Sequence, residues 1–235
     1  MKRTNKQDNK LNKKQPFYDK KKLLLELIPL LLVILTFIAS FYFYPKLPEK
    51  IPIHWNASGQ VDGFSGTFGI FIIPISFLVI IILLFILPLM EVFRDNMLKI
   101  YNYYFIFKIV FSIFFTGLFI ATLLPNFGYN INVAHIVIIM IGLMFTSLGF
   151  ILPKLKRNFM FGIRTGWTLS SDEVWDKTHK LGGTLFVLLG IITLLLLLFL
   201  KLEILFFVFI ILTLVITLIL VIYSYYIYKN IKKNL

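Results

Sequence analysis

Residues 23–44 read LLLELIPLLLVILTFIASFYFY, 22 positions with a single charge, Glu26. A helix of that length rises about 33 Å, enough to cross the ~30 Å hydrocarbon core of a bilayer. The run is too long for the apolar region of a signal peptide and lacks a small-residue cleavage site, so it reads as a membrane span. Glu26 falls in its first turn, where the interface keeps a carboxylate hydrated, and Pro29 comes early enough to be tolerated.

Five more apolar runs follow, at about 70–90, 104–124, 131–152, 184–200 and 204–228, each close to the ~20 residues a span needs. With 59% hydrophobic and only 15% charged residues in a chain of 235, a soluble globule with a polar surface is excluded. The expectation is an all-α membrane protein, a six-span helical bundle. The 26 phenylalanines and 11 tyrosines suit lipid-facing and interfacial positions, and the absence of cysteine removes disulfides, thiolate chemistry and Cys-based metal sites together.

A net charge of +13 raises the question of nucleic acid, but the lysines gather beside apolar runs and read as topology signals, so no direct nucleic-acid binding is expected. The N-terminus and the 91–103, 153–182 and C-terminal segments hold twenty Lys and Arg, whereas the alternate loops at 45–69, 125–130 and 201–203 hold three. Basic residues mark the cytoplasmic side, which puts both termini inside and the 45–69 loop outside. Lys108, near the start of span three, is expected to snorkel to the same basic side.

The organisation that follows is a disordered basic cytoplasmic tail at 1–22, a three-span half at 23–125 with the extracellular loop 45–69, and a second three-span half at 126–230 with the cytoplasmic loop 153–182. The tail carries nine Lys or Arg against two acids and has no apolar run, so it is expected to touch anionic lipid at most.

The outer loop reads PKLPEKIPIHWNASGQVDGFSGTFG. Pro45, Pro48 and Pro52 forbid a helix at its start, and residues 53–62 have the shape of a short hairpin: extended, turn at Asn56–Gly59, extended. A lone hairpin is marginal and must rest on the ends of the spans, with Trp55 and Phe64 at headgroup level. His54, Trp55, Asn56, Gly59, Asp62 and Gly63 are the candidate ligand contacts, an aromatic anchor and polar groups gathered at a turn. Asn56-Ala57-Ser58 is also a glycosylation sequon.

The inner stretch 158–175 reads NFMFGIRTGWTLSSDEVW, too apolar and too rich in tryptophan for a disordered connector. Gly162 and Gly166 flank Ile163-Arg164-Thr165 and allow positive φ on both sides of the arginine. A guanidinium posed there needs an acid, with Glu91 the first choice ahead of Glu26, Asp172 and Glu173. Ser170-Ser171-Asp172-Glu173 fits a capping box in which the Ser170 hydroxyl takes the Glu173 amide. It opens an amphipathic cytoplasmic helix with Glu173–Lys177 and Asp176–Lys180 pairs, which Gly182-Gly183 ends or bends.

These two stretches together resemble the SdpI family of prokaryotic membrane proteins. YPKLPEKIPIHWNASGQVDG resembles the loop that follows the family's first span. Asn158, Gly162-Ile163-Arg164-Thr165, Trp167-Thr168-Leu169, Val174-Trp175, Thr178-His179 and Gly182-Gly183 resemble its cytoplasmic signature between spans four and five. The resemblance covers residues 23 to about 230 and rests on two unrelated motifs at the expected topological places. It implies immunity to a secreted, membrane-acting peptide toxin, with signalling through a cytoplasmic regulatory protein, and it makes Asn158, Gly162, Arg164, Thr165, Trp167, Thr168, Trp175 and His179 the cytoplasmic signature positions. One departure is Gly166, where many relatives carry proline.

Enzymatic readings find no nucleophile elbow, P-loop or HExxH motif. His54 and His135 lie outside and His179 inside, so no three-histidine metal site forms within one subunit; His54, Asp62 and His135 at the outer face read more simply as solvated polar residues. No metal or cofactor is expected. The alternative to protection is small-solute or ion transport, with a membrane enzyme acting on lipid third. Transport asks for ionisable groups nearer the midplane than Glu26, Glu91 and Lys108 stand in this reading. Ser112, Thr116 and Gly117, and Gly142, Thr146, Ser147 and Gly149, read as close helix packing.

Overall fold

The structure, a computed structural model, describes residues 16–233. In chain order it comprises α1 (Lys20–Phe43), a hairpin of β1 (Lys50–Trp55) and β2 (Val61–Gly66), α2 (Ile72–Ile86), α3 (Arg94–Lys99), α4 (Tyr101–Leu123), α5 (Val133–Ile151), α6 (Gly166–Ser170), α7 (Asp172–Leu196) and α8 (Leu202–Lys233). Among the described residues six helices are long and apolar enough to cross a membrane: Lys20–Lys46, Thr67–Met90, Tyr101–Phe127, Val133–Lys154, Asp172–Leu196 and Leu202–Lys233. The hairpin lies at one end of this bundle, and the 153–171 loop at the other, with the described ends of the chain.

Four spans end the same way. Tyr44-Pro45, Leu87-Pro88, Leu124-Pro125 and Leu152-Pro153 each tighten the last turn into a 3-10 turn. Proline has no N–H, so the carbonyl four residues back loses its helical donor. Where that carbonyl is buried, another group must supply one: the Tyr104 hydroxyl donates to the Leu84 carbonyl freed by Pro88, at 2.7 Å. The Tyr18 hydroxyl does the same for Phe85, at 2.8 Å.

Lipid is as apolar as leucine, so helices associate through close packing and polar contacts rather than through hydrophobic burial. α1, α2 and α4 meet around Val33, Phe77 and Ile81, with Phe115 stacked on Phe77. α5, α7 and α8 meet around Leu189, Phe209, Ile216 and Leu220. The closest approach is α5 on α7: a Cβ on Gly183 would lie 2.7 Å from the Gly149 carbonyl oxygen, and one on Gly190 would lie 2.7 Å from the Thr146 nitrogen. Near the chain ends a largely aromatic cluster, including Phe17, Tyr101, Tyr104, Leu155 and Trp175, ties the two groups together.

Three expectations are corrected here. Of the tail expected to be disordered, residues 1–15 lie outside the described residues, but the rest is ordered. Phe17 and Tyr18 are buried, and the Asp19 carboxylate caps α1 by accepting the Lys22 N–H at 2.9 Å. That N–H holds the Asp19 carboxyl below its usual range, whereas burial, with Glu26 nearby, pushes the Tyr18 phenol up. The aromatic pair on this tail outweighs its lysines.

The second correction concerns Gly182-Gly183, which does not end the helix. α7 runs unbroken from Asp172 to Leu196, so the amphipathic stretch is the first part of span five. Each glycine costs a helix interior roughly 1 kcal/mol in propensity, but here their missing side chains admit Ile163 and Pro153.

The third correction concerns two charges. Glu26 is not hydrated and Lys108 does not snorkel: they are 7% and 0% exposed and form an ion pair with each other, while the Tyr101 hydroxyl donates to the same Glu26 oxygen at 2.9 Å. The rings of Tyr18, Tyr101 and Tyr104 lie within 5.1–5.8 Å of the Lys108 ammonium.

Candidate functional site

The hairpin is built by its turn. The Asn56 side-chain oxygen accepts the N–H groups of Ser58 and Gln60, and its backbone closes onto Gln60. Gly59 completes the turn at φ +82°, a conformation in which a side chain is strained, and a Cβ there would also strike the Asn132 side chain at 2.6 Å. Asn132 caps α5 by accepting the His135 N–H. The Ser58 hydroxyl reaches Glu203, at the start of α8, at 3.3 Å. The tip is thereby pinned to two spans.

Across the strands His54 faces Gly63. A Cβ on Gly63 would lie 2.7 Å from that of His54, so this position accepts only glycine without displacing its partner. His54 Nδ1 sits 2.5 Å from the Asp62 carboxylate, both side chains being solvent-accessible. At the base of the hairpin Ile51 is buried against Ile70 and Phe119.

Beneath the hairpin opens a cleft of about 420 Å³. Its roof is Ile53, His54, Trp55, Asn56 and Ala57, and its walls are apolar side chains from α2, α4, α5 and α8, among them Ile73, Leu118, Val137, Ile138, Leu202 and Phe206. Of the six residues expected as ligand contacts, His54, Trp55 and Asn56 line this cleft. Asp62 orients His54 from the side, and Gly59 and Gly63 shape the backbone. His135 does not join His54 and Asp62; among the described residues no group of three metal-ligating side chains forms. The walls were not legible in sequence, because each contributing helix carries apolar residues all round.

At the opposite end, the 156–171 loop is folded by its own polar groups. Asn158 is fully buried: its amide donates to the carbonyls of Lys156 and Phe161 and accepts the N–H groups of Met160 and Phe161. Gly162 has φ +122°, and a Cβ there would lie 3.2 Å from the Trp175 ring. His179 stacks on Trp175 at 3.9 Å, accepts the Ile163 N–H on Nε2 and donates from Nδ1 to the Trp175 carbonyl. Those two bonds define a neutral imidazole. Trp175 itself, fully buried, donates to the Leu155 carbonyl at 3.1 Å.

Thr165 and Thr168 form a reciprocal capping box on α6, Thr165 touches Ser224 at 3.2 Å, and Trp167 packs on Tyr225. The signature positions therefore fasten the loop to α7 and α8.

Arg164 departs from expectation. It is exposed and donates to the Phe159 carbonyl, not to Glu91. Glu91 does hold the loop, but through backbone: its two oxygens accept the N–H groups of Phe93 and Phe159 at 2.8 and 2.9 Å. Of the two arginines in this loop, Arg157 lies 2.8 Å from Asp172, with its guanidinium against Phe93. The helix cap also moves by one residue. Ser171, not Ser170, accepts the Val174 N–H, because Ser170 is the last residue of α6 and donates to the Trp167 carbonyl. Glu173 pairs with Lys177 as expected, but Asp176 pairs with Lys156.

Gly166 is not in the left-handed region. It is the first residue of α6, and a Cβ there meets nothing. The first helical position suits proline, whose missing N–H is not needed. Gly166→Pro is thus expected to stabilise the protein by about 0.4–1 kcal/mol through the unfolded chain, seen as a raised thermal midpoint in detergent.

Both ends of the molecule are similar to known proteins. Residues 154–224 match the model of the SdpI/YfhL protein family, and residues 31–78 match a domain of unknown function, DUF1648. The chain is thus similar to the SdpI/YfhL family over its second half. It is 28% identical over 166 residues to the immunity protein SdpI of Bacillus subtilis (strain 168), covering 71% of this chain and 78% of that protein. The first matched region contains the whole Asn158–His179 network and the second includes the C-terminal half of α1 and the hairpin. No solved structure matches significantly.

Proposed function

We propose that this protein protects the cell that carries it from a membrane-acting peptide, which it engages at the hairpin-roofed cleft. The observation that carries the reading is the cleft itself: apolar walls from four spans under a polar, aromatic roof, the chemistry an amphipathic peptide requires. The name of the Bacillus subtilis relative supports it. The distribution of lysine and arginine supports an extracellular hairpin and cytoplasmic termini. In this reading the 153–182 loop, with Phe159 and Arg164 exposed, meets a cytoplasmic regulatory protein, and no reaction is catalysed.

The test is a challenge of gene-deleted cells, complemented with parent or variant, by membrane-active peptides. His54→Ala with Asp62→Ala is expected to abolish tolerance at normal membrane abundance, because both side chains are exposed and neither holds the fold. Retained tolerance would reject the cleft as the point of contact. A cysteine at Ser58 serves as control for sidedness, since it must react with an impermeant thiol reagent on intact cells. The second reading, solute or ion transport, draws on the Glu26–Lys108 pair inside the spans. It is favoured if purified protein in liposomes conducts a flux that tolerance does not require.

A further inference from the structure

α7 presents one outward stripe at helical spacing, Lys177, Lys180, Thr184 and Leu188, running from the loop end of the bundle toward its middle. Two clefts flank this stripe and share Thr184. One, of about 470 Å³, lies toward α8 and is lined by Lys177, Lys180, Leu181, Tyr223 and Ile227. The other, of about 390 Å³, lies toward α5 and is lined by Phe150, Pro153, Lys154, Val187 and Leu188 beside Gly149 and Gly183. The second exists because two glycines meet at the α5–α7 crossing and leave its flank without side chains.

Charge is distributed unevenly around these clefts. Lys177 is paired with Glu173, and the neighbouring Lys156 with Asp176. Among the described residues no carboxylate lies within ion-pair distance of Lys154 or Lys180. Two cations therefore flank Thr184, with the Thr184 and Tyr223 hydroxyls beside them and an apolar wall of Phe150, Val187 and Leu188 further along the helix. That order, cation, then hydroxyl, then hydrocarbon, matches a phospholipid read from phosphate to glycerol to acyl chain.

We infer that this face of α7 is a binding site for an anionic phospholipid, its headgroup held between Lys154 and Lys180 and one chain laid against Val187 and Leu188. This site is at the opposite end of the bundle from the hairpin and does not depend on the peptide reading.

The full chain, purified in neutral detergent and stripped of lipid, is titrated with phosphatidylglycerol or phosphatidylcholine. Bound lipid is counted by native mass spectrometry and the thermal midpoint is followed in parallel. Phosphatidylglycerol is expected to bind saturably and raise the midpoint, and phosphatidylcholine to do neither. A basic residue near a membrane surface contributes about 1 kcal/mol to anionic-lipid attraction, so Lys154→Gln with Lys180→Gln should weaken apparent affinity about 30-fold. Lys232→Gln with Lys233→Gln removes the same charge at the end of α8 and should leave affinity unchanged. Equal binding of the two lipids overturns the site, as does equal weakening by both double variants. Full competition by millimolar inorganic phosphate also overturns it, since a free anion would then suffice.

Discussion

Lys108→Met is expected to destabilise the folded protein by about 3–5 kcal/mol, because it leaves the Glu26 carboxylate buried without its cation. Lys108 is fully buried and Glu26 nearly so, and the Tyr101 hydroxyl donates to the Glu26 carboxylate. Glu26→Gln should cost a similar amount by stranding the ammonium among three tyrosine rings. The pair as a unit is another matter. Two charges removed from water regain little beyond their desolvation, so Glu26→Gln with Lys108→Met should recover most of the loss. Unfolding midpoints of the four proteins in detergent measure the coupling as a double-mutant cycle. Single variants as stable as the parent would show the pair to be hydrated after all. A double variant that stays stable but loses tolerance would assign the pair a role beyond structure.

Trp175→Ala should be comparably severe. A fully buried tryptophan truncated to alanine costs about 3–5 kcal/mol in packing and cavity. Further loss comes from the Leu155 carbonyl, which is deprived of its indole donor, and from the His179 ring, which loses its stacking partner. Since His179 holds Ile163, the loop should loosen as well as the core. Trp175→Phe separates the effects: it keeps most of the packing and removes only the hydrogen bond, so it should cost much less. Proteolysis within 156–171 checks the loop, with faster cleavage of Trp175→Ala at temperatures where the spans remain helical. Equal cleavage in parent and variant would mean that the loop is held elsewhere.

Much of the architecture is written locally. Six runs of sufficient apolar length make six spans because every backbone polar group inside a bilayer must be satisfied within its own helix. The hairpin is local too: Asn56 bonds its own turn, Gly59 supplies the positive φ, and flanking prolines exclude a helix. The apolar residues and tryptophans of 158–175 likewise announce an ordered loop.

Partnership is not local. Glu26 and Lys108 stand 82 positions apart, and each read alone looks like an interfacial charge; only the packing of α1 on α4 makes them a buried pair. Arg157 and Arg164 are chemically alike, and which of them meets an acid depends on where the loop lies against α7. Gly182-Gly183 reads as a helix stop because glycine favours one in isolation, yet the approach of Ile163 and Pro153 reverses the balance. The cleft beneath the hairpin draws its walls from four helices of uniform hydrophobicity. Hydropathy places such residues in the membrane, but their facing side is decided by helix packing, where close contact, not burial from water, sets the energy.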